Sequence, residues 1–138
     1  AGRFSEIINL LGKDVDFNKR LATFRDTKNG EDRTIPLSDD AIRILKKQPF
    51  GDKFFNIKSR EVFKNYWNKA RDNAGLGNFR FHDLRSLAIR KMILSGMQTI
   101  EVAKISGHKT LNVLHRRYSR LQPEDLLDKV NNVVLLKK

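Results

Sequence analysis

Residues 21–37 read Leu-Ala-Thr-Phe-Arg-Asp-Thr-Lys-Asn-Gly-Glu-Asp-Arg-Thr-Ile-Pro-Leu. Two runs with β-branched and aromatic residues, Leu21–Arg25 and Arg33–Leu37, enclose Thr27-Lys28-Asn29-Gly30. Asn-Gly supplies the positive-φ residues of a tight turn, so the spacing predicts an antiparallel hairpin with Lys28 at its tip. A third short run, Asp14–Phe17, precedes it and extends the pair to a small antiparallel sheet near the N-terminus. The rest of the chain carries helical rather than alternating periodicity, which sets the class as α+β and mainly helical.

Working outward, residues 3–11 predict a short helix ended by Gly12. On the other side, Ser38 with Asp39 and Asp40 is a capped, acidic helix start, Lys46 and Lys47 suit its C-terminus, and Pro49 stops it. A second helix runs from Ser59 to Gly75, with Val62, Phe63, Tyr66, Trp67 and Ala70 as its apolar stripe and Tyr66 as a core residue. Three more cover about His82–Ser95, Thr99–Ile105 and Thr110–Tyr118, and Pro123-Glu124-Asp125 opens the last. The apolar end, Val130–Leu136, calls for a partner surface in the same or a neighbouring subunit.

The chain has 138 residues, the size of one domain. It lacks cysteine, which removes disulfide scaffolds, thiolate zinc sites and thiol nucleophiles together. No apolar run reaches the ~20 residues that span a bilayer, and the start does not read as a secretory signal. A start without Met, in what reads as mid-helix, predicts an excised piece of a longer cytoplasmic protein. The formal net charge is +12, and residues 80–120 carry +7 of it, with nine basic and two acidic side chains. That balance points to a polyanion, nucleic acid before an anionic membrane.

Unusual polar residues lie in and around that basic segment. Tyr118 stands among Arg116, Arg117 and Arg120, and positive surroundings favour the phenolate that makes tyrosine a nucleophile. His82 and Arg85 share a helix face at i, i+3, an arrangement suited to a phosphate and a proton. Arg3 and Glu6 have the same spacing, so the carboxylate can hold the guanidinium in place. Taken singly, Arg-x-x-Glu is usually a surface ion pair, and His-x-x-Arg an ordinary helix start. Together, two arginines, two histidines, a lysine and a tyrosine suit phosphoryl transfer without metal. The clustered carboxylates of a two-metal nuclease and the Gly-rich loop of a nucleotide-binding enzyme are both missing from the sequence.

These segments, in this order, resemble the catalytic domain of the tyrosine recombinases, the phage-integrase and Xer-type site-specific recombinases. Arg3-Phe4-Ser5-Glu6-Ile7 is similar to the first arginine motif, and Thr27-Lys28-Asn29 followed by Arg33-Thr34-Ile35-Pro36-Leu37 to the hairpin-lysine segment. His82-Asp83-Leu84-Arg85 matches the His-x-x-Arg box, the most specific piece. Ser106-Gly107-His108-Lys109-Thr110 resembles the Gly-His segment and Arg117-Tyr118-Ser119 the nucleophile.

The resemblance implies that Tyr118 attacks the scissile phosphate, leaving a 3′-phosphotyrosyl bond and a 5′-hydroxyl. Arg3 and Arg85, helped by His108, would bind the non-bridging oxygens. Lys28 would protonate the leaving oxygen, His82 would assist proton transfer and Glu6 would support the site. Lys109, Arg116, Arg117 and Arg120 are the expected DNA contacts. No cofactor, metal or ATP is implied. The partner is double-stranded DNA, bound by a homotetramer of the full protein, whereas the piece alone, without a preceding core-binding domain, is expected to be monomeric. Residues 1–138 would then be the catalytic domain of a bacterial or phage-encoded protein. Two alternatives stay open: a non-catalytic DNA-binding relative, and a type IB topoisomerase-like relaxing enzyme.

Overall fold

In the computed structural model, residues 1–25, 27, 30–48, 51–118 and 122–131 are described, with all their side chains except those of Val113, Arg116, Arg117, Tyr118, Asp128 and Lys129. The elements in order are α1 (Phe4–Ile8), β1 (Val15–Asp16), β2 (Leu21–Phe24), β3 (Arg33–Pro36), α2 (Asp39–Lys46), α3 (Arg60–Asn73), α4 (Phe81–Leu94), α5 (Thr99–Ser106), α6 (Leu111–Tyr118) and α7 (Leu127–Asn131). Short 3₁₀ turns at Gly12–Asp14 and Pro123–Leu126 lead into β1 and α7. The fold is therefore the expected one, mainly helical with one small antiparallel sheet.

The sheet has the order β1-β2-β3, with Ala22 opposite both Val15 and Ile35 and Phe24 opposite Arg33. Alternation sends Ala22, Phe24 and Ile35 inward, where they meet Leu10 and Leu45 in one core. Thr23 and Thr34 pair on the other face, their hydroxyls 2.9 Å apart. The turn residues Lys28 and Asn29 lie outside the described residues. A second core joins Ile89 of α4, Val102 and Ala103 of α5 and Leu114 of α6. Truncating a buried aliphatic such as Ile89 to alanine costs about 2–5 kcal/mol. α5 also packs on β3, so it connects the two cores.

Helix starts follow a common local rule. Glu6, Asp83 and Glu101, each at the third helical position, accept a hydrogen bond from the backbone amides of Arg3, Arg80 and Gln98 at 2.6, 2.8 and 2.7 Å. Ser38 and Ser59 cap α2 and α3 from their hydroxyls, accepting from the amides of Ala41 and Val62.

Two sequence expectations are corrected. The first helix stops at Ile8 rather than continuing to residue 11, because the chain there pairs with a distant segment. Leu10 O accepts from Phe54 N at 3.2 Å, and Gly12 N donates to Asp52 O at 3.1 Å. Tyr66 is not core; it is 72% exposed, and Val62 is exposed with it. The inward direction of α3 is set by Phe63 and Trp67, and at about 100° per residue Tyr66 lies roughly 80° off it. Phe63 meets Phe4 at a tilt (ring centroids 4.4 Å) and Phe81 edge to face (4.8 Å), and Trp67 also meets Phe81 edge to face (5.3 Å). This aromatic cluster ties α1 to α4 through the neighbours of Arg3 and His82.

Candidate active site

The site grows from the C-terminal end of α5. Its last turn leaves carbonyls without helical partners and carries the negative end of the helix dipole, which favours cations. Gly107 ends the helix in the left-handed region (φ 72°, ψ 41°). Two arginines reach these carbonyls: Arg85 Nη2 donates to Ser106 O at 2.5 Å, and Arg3 Nη2 donates to Gly107 O at 3.2 Å. Consecutive carbonyls thus hold the two guanidiniums that 82 residues of chain separate.

Each arginine is also fixed from behind. Arg85 begins the inward stripe of α4 that continues one turn later in Ile89, and only 6% of it is exposed. Its Nη1 donates to the carbonyl of Ala1. Arg3 bonds Glu6 Oε1 at 2.8 Å across one turn of α1. The Glu6 side chain is 3% exposed, and Arg33 of β3 also donates to it, Nη1 to Oε1 at 3.2 Å and Nη2 to Oε2 at 2.8 Å. Burial is the largest single influence on Glu6 and pulls its pKa upward. Hydrogen bonds from Arg33, from the Arg3 amide and from the Arg3 guanidinium together outweigh it and hold the carboxyl below its usual range. Glu6 is therefore a carboxylate shared by two cations.

His108 follows Gly107, with Nδ1 2.7 Å from the hydroxyl of the buried Ser106. His82 is exposed, but it borders the same cleft of ≈ 610 Å³ as Arg85, together with Gly2, Arg60, Lys64 and the aromatic cluster. The base of the β2–β3 loop lies beside His108. Thr27, Arg33, His108 and Lys109 line one hollow of ≈ 400 Å³. That base is braced by Arg25, which bonds Asp14 Oδ1 at 2.9 Å and Asp32 Oδ2 at 2.8 Å, and by the Thr27 hydroxyl on Glu31 O at 2.8 Å.

Arg3, Glu6, Arg85 and His108 are thus brought into one hydrogen-bonded group, with His82 beside Arg85 and Lys109 beside His108. Lys28 and Arg120 lie outside the described residues. The backbone of Arg116, Arg117 and Tyr118 belongs to α6, and their side chains lie outside the described set. His115 is exposed. Among the described residues, no group of three or more His, Asp or Glu side chains converges as metal ligands would. No described helix is long and apolar enough to cross a membrane.

Sequence reasoning passed over two residues of the group. Arg33 occupies the same strand face as buried Ile35, and a charge at an inward position signals an internal ion pair. Ser106 stands on the inward stripe of α5 with Val102, where a hydroxyl needs an internal partner.

Solved structures share this architecture. The catalytic domain of bacteriophage HP1 integrase matches with a TM-score of 0.69 and 25% identity, over 95% of this chain and 74% of that one. XerH site-specific recombinase, in a structure bound to its difH substrate, has the same fold with a TM-score of 0.70 and 20% identity, over 96% of this chain and 43% of that one. The fold is that of the tyrosine-recombinase catalytic domains. The phage integrase family model matches residues 1–125, and the chain belongs to that family. A curated relative, the shufflon-specific DNA recombinase of Escherichia coli, is 35% identical over 135 residues. The match takes in 95% of this chain but 34% of the relative, so the chain spans about a third of that protein's length.

Proposed function

We propose that this chain supplies the chemistry of a site-specific DNA recombinase that cuts and rejoins strands through Tyr118. The phenol oxygen attacks the scissile phosphorus and the bond to the 5′ oxygen breaks, leaving a 3′-phosphotyrosyl link and a 5′-hydroxyl. Arg3 and Arg85 hold the non-bridging oxygens and offset the charge of the five-coordinate transition state, with His108 as a third contact. Lys28 gives the leaving oxygen its proton, and His82 assists proton transfer. Glu6 keeps Arg3 in position. One phosphodiester is exchanged for another, so the bond energy is retained and the step calls for neither ATP nor metal. A 5′-hydroxyl from a second duplex reverses the attack, and a homotetramer of the full protein brings the duplexes together. Lys109, Arg116, Arg117 and Arg120 hold the backbone of double-stranded DNA.

The observation that carries this reading is the pair of guanidiniums bound to adjacent carbonyls at the end of α5, with His108 next in the chain. The family match and the DNA-bound solved relative support it. The test is capture on a nicked duplex bearing the recombination site, which loses the short strand after cleavage and traps the intermediate. The protein is expected to give a DNA-linked band on a denaturing gel, and its Tyr118→Phe variant none. Salt-sensitive binding without a band from the parent overturns the reading in favour of a DNA-binding relative. Relaxation of any supercoiled plasmid without exchange between sites favours a topoisomerase instead.

A further inference from the structure

Ser106 touches two members of the site through different atoms. Its carbonyl receives Arg85, while its hydroxyl, fully buried, lies 2.6 Å from Val102 O and 2.7 Å from His108 Nδ1. A serine hydroxyl has one proton to give and lone pairs to receive with. The Val102 carbonyl can only accept, so at 2.6 Å the serine proton lies between the two oxygens. What Ser106 turns toward the imidazole is therefore a lone pair. A bare Nδ1 at 2.7 Å would oppose it with another lone pair, and a protonated Nδ1 makes a hydrogen bond of ordinary length.

We propose that Ser106 is a positioning residue that fixes the His108 proton on Nδ1, making Nε2 the nitrogen through which His108 acts on DNA. The two ring nitrogens of histidine are distinct, and the bond made by one decides the chemistry of the other. With Nδ1 committed to Ser106, Nε2 takes up a proton when the ring is neutral, and the doubly protonated ring then donates from Nε2 to a non-bridging oxygen, the contact assigned to His108 above. The bond also sets the plane of the ring, since Ser106 is held by the end of α5. The tautomer stands on these hydrogen bonds alone, whereas its consequence for DNA rests on the strand-transfer reading above.

The test is long-range proton–nitrogen NMR of the chain with ¹⁵N-labelled histidine, at alkaline pH where imidazole is neutral, with His82→Gln and His115→Gln variants to assign the three rings. The parent is expected to show His108 protonated on Nδ1. Ser106→Ala should replace that signature with a mixture of both tautomers, and Ser106→Thr, which keeps the hydroxyl, should preserve it. A parent ring protonated on Nε2 overturns the inference without recourse to any variant, so a poorly folding alanine variant does not rescue it. A pure Nδ1–H signature persisting in Ser106→Ala overturns it too. In the capture assay, Ser106→Ala should form the covalent complex about tenfold more slowly with DNA affinity unchanged, because the Arg85 contact is to a backbone carbonyl that alanine retains. Equal rates overturn the catalytic half. A parent that forms no covalent complex removes strand transfer and leaves the NMR result to decide the tautomer.

Discussion

Replacing Glu6 with glutamine keeps the shape of the side chain and removes the charge that two arginines share. Each carboxylate oxygen now accepts two bonds: Oε1 from Arg3 Nη1 and Arg33 Nη1, Oε2 from the Arg3 amide and Arg33 Nη2. Glutamine keeps one oxygen, so whichever way it turns, two of the four contacts become donor facing donor. Removing one partner of a buried ion pair costs about 3–5 kcal/mol. The Arg3 side chain is 24% exposed and that of Arg33 11%, so water recovers part of the loss. The low end, about 3 kcal/mol, is therefore expected. At about 2.1 cal/mol/K per residue, the unfolding entropy of 138 residues is roughly 0.3 kcal/mol/K, which converts the loss into a fall in Tm of about 10 °C.

Thermal unfolding followed by circular dichroism at pH 7 checks this figure, and a pH series checks its origin. The folded pKa of Glu6 is depressed below 4.5, so its stabilisation is fully present above that value and is lost as pH falls through the folded pKa. The gap between parent and Glu6→Gln should be constant near neutrality and shrink in acid below pH 4.5. A Tm within about 2 °C of the parent at pH 7 refutes the shared-carboxylate account. So does a gap that does not narrow in acid.

Two further outcomes follow from the same geometry. Gly107→Ala and Gly96→Ala both place a side chain at positive φ (72° and 96°), at about 1–2 kcal/mol each, but only the first sets a Cβ 1.9 Å from Arg33 Nη1. Gly107→Ala should therefore unfold at the lower temperature of the two in the same melt, and equal Tm values would mean that Arg33 moves aside without loss. DNA binding measured by fluorescence anisotropy should weaken steeply with salt, at a slope of log K on log salt near about −5 for six phosphate contacts. A flat response contradicts binding through the basic 80–120 segment.

How far the fold was legible depended on whether its causes were local. Asn29-Gly30 between two β-branched runs announces the hairpin, and the strands on either side pair as expected, from Leu21 opposite Pro36 to Phe24 opposite Arg33. Arg3 with Glu6 and His82 with Arg85 follow from helical spacing, and both pairs are found as anticipated at the edge of one cleft or within one ion pair. What failed was decided at a distance. The early end of α1 comes from pairing of residues 10–12 with residues 52–54, a contact that no window around Leu10 reveals. Adjacency to Trp67 suggests a core position for Tyr66, yet the face of α3 that packs is chosen by Phe4 and Phe81, which lie outside the helix. Arg33 and Ser106 were passed over because each is ordinary in its own segment. Their meaning appears only when β3 and α5 converge on Glu6 and His108.

The central claim is that Arg3 and Arg85 serve the charge of the scissile phosphate, and substrate chemistry tests it directly. The measurement is the rate of covalent complex formation by the parent, Arg3→Ala and Arg85→Ala proteins on two duplexes, one with the natural phosphate and one with an uncharged methylphosphonate at the scissile position. Neutral substrate has no non-bridging negative charge for the guanidiniums to offset, so the defect of each arginine variant should shrink by about tenfold or more on the methylphosphonate. A defect of the same size on both duplexes would contradict the account, because it would mean that the two arginines support the fold around α5 rather than the reacting phosphate.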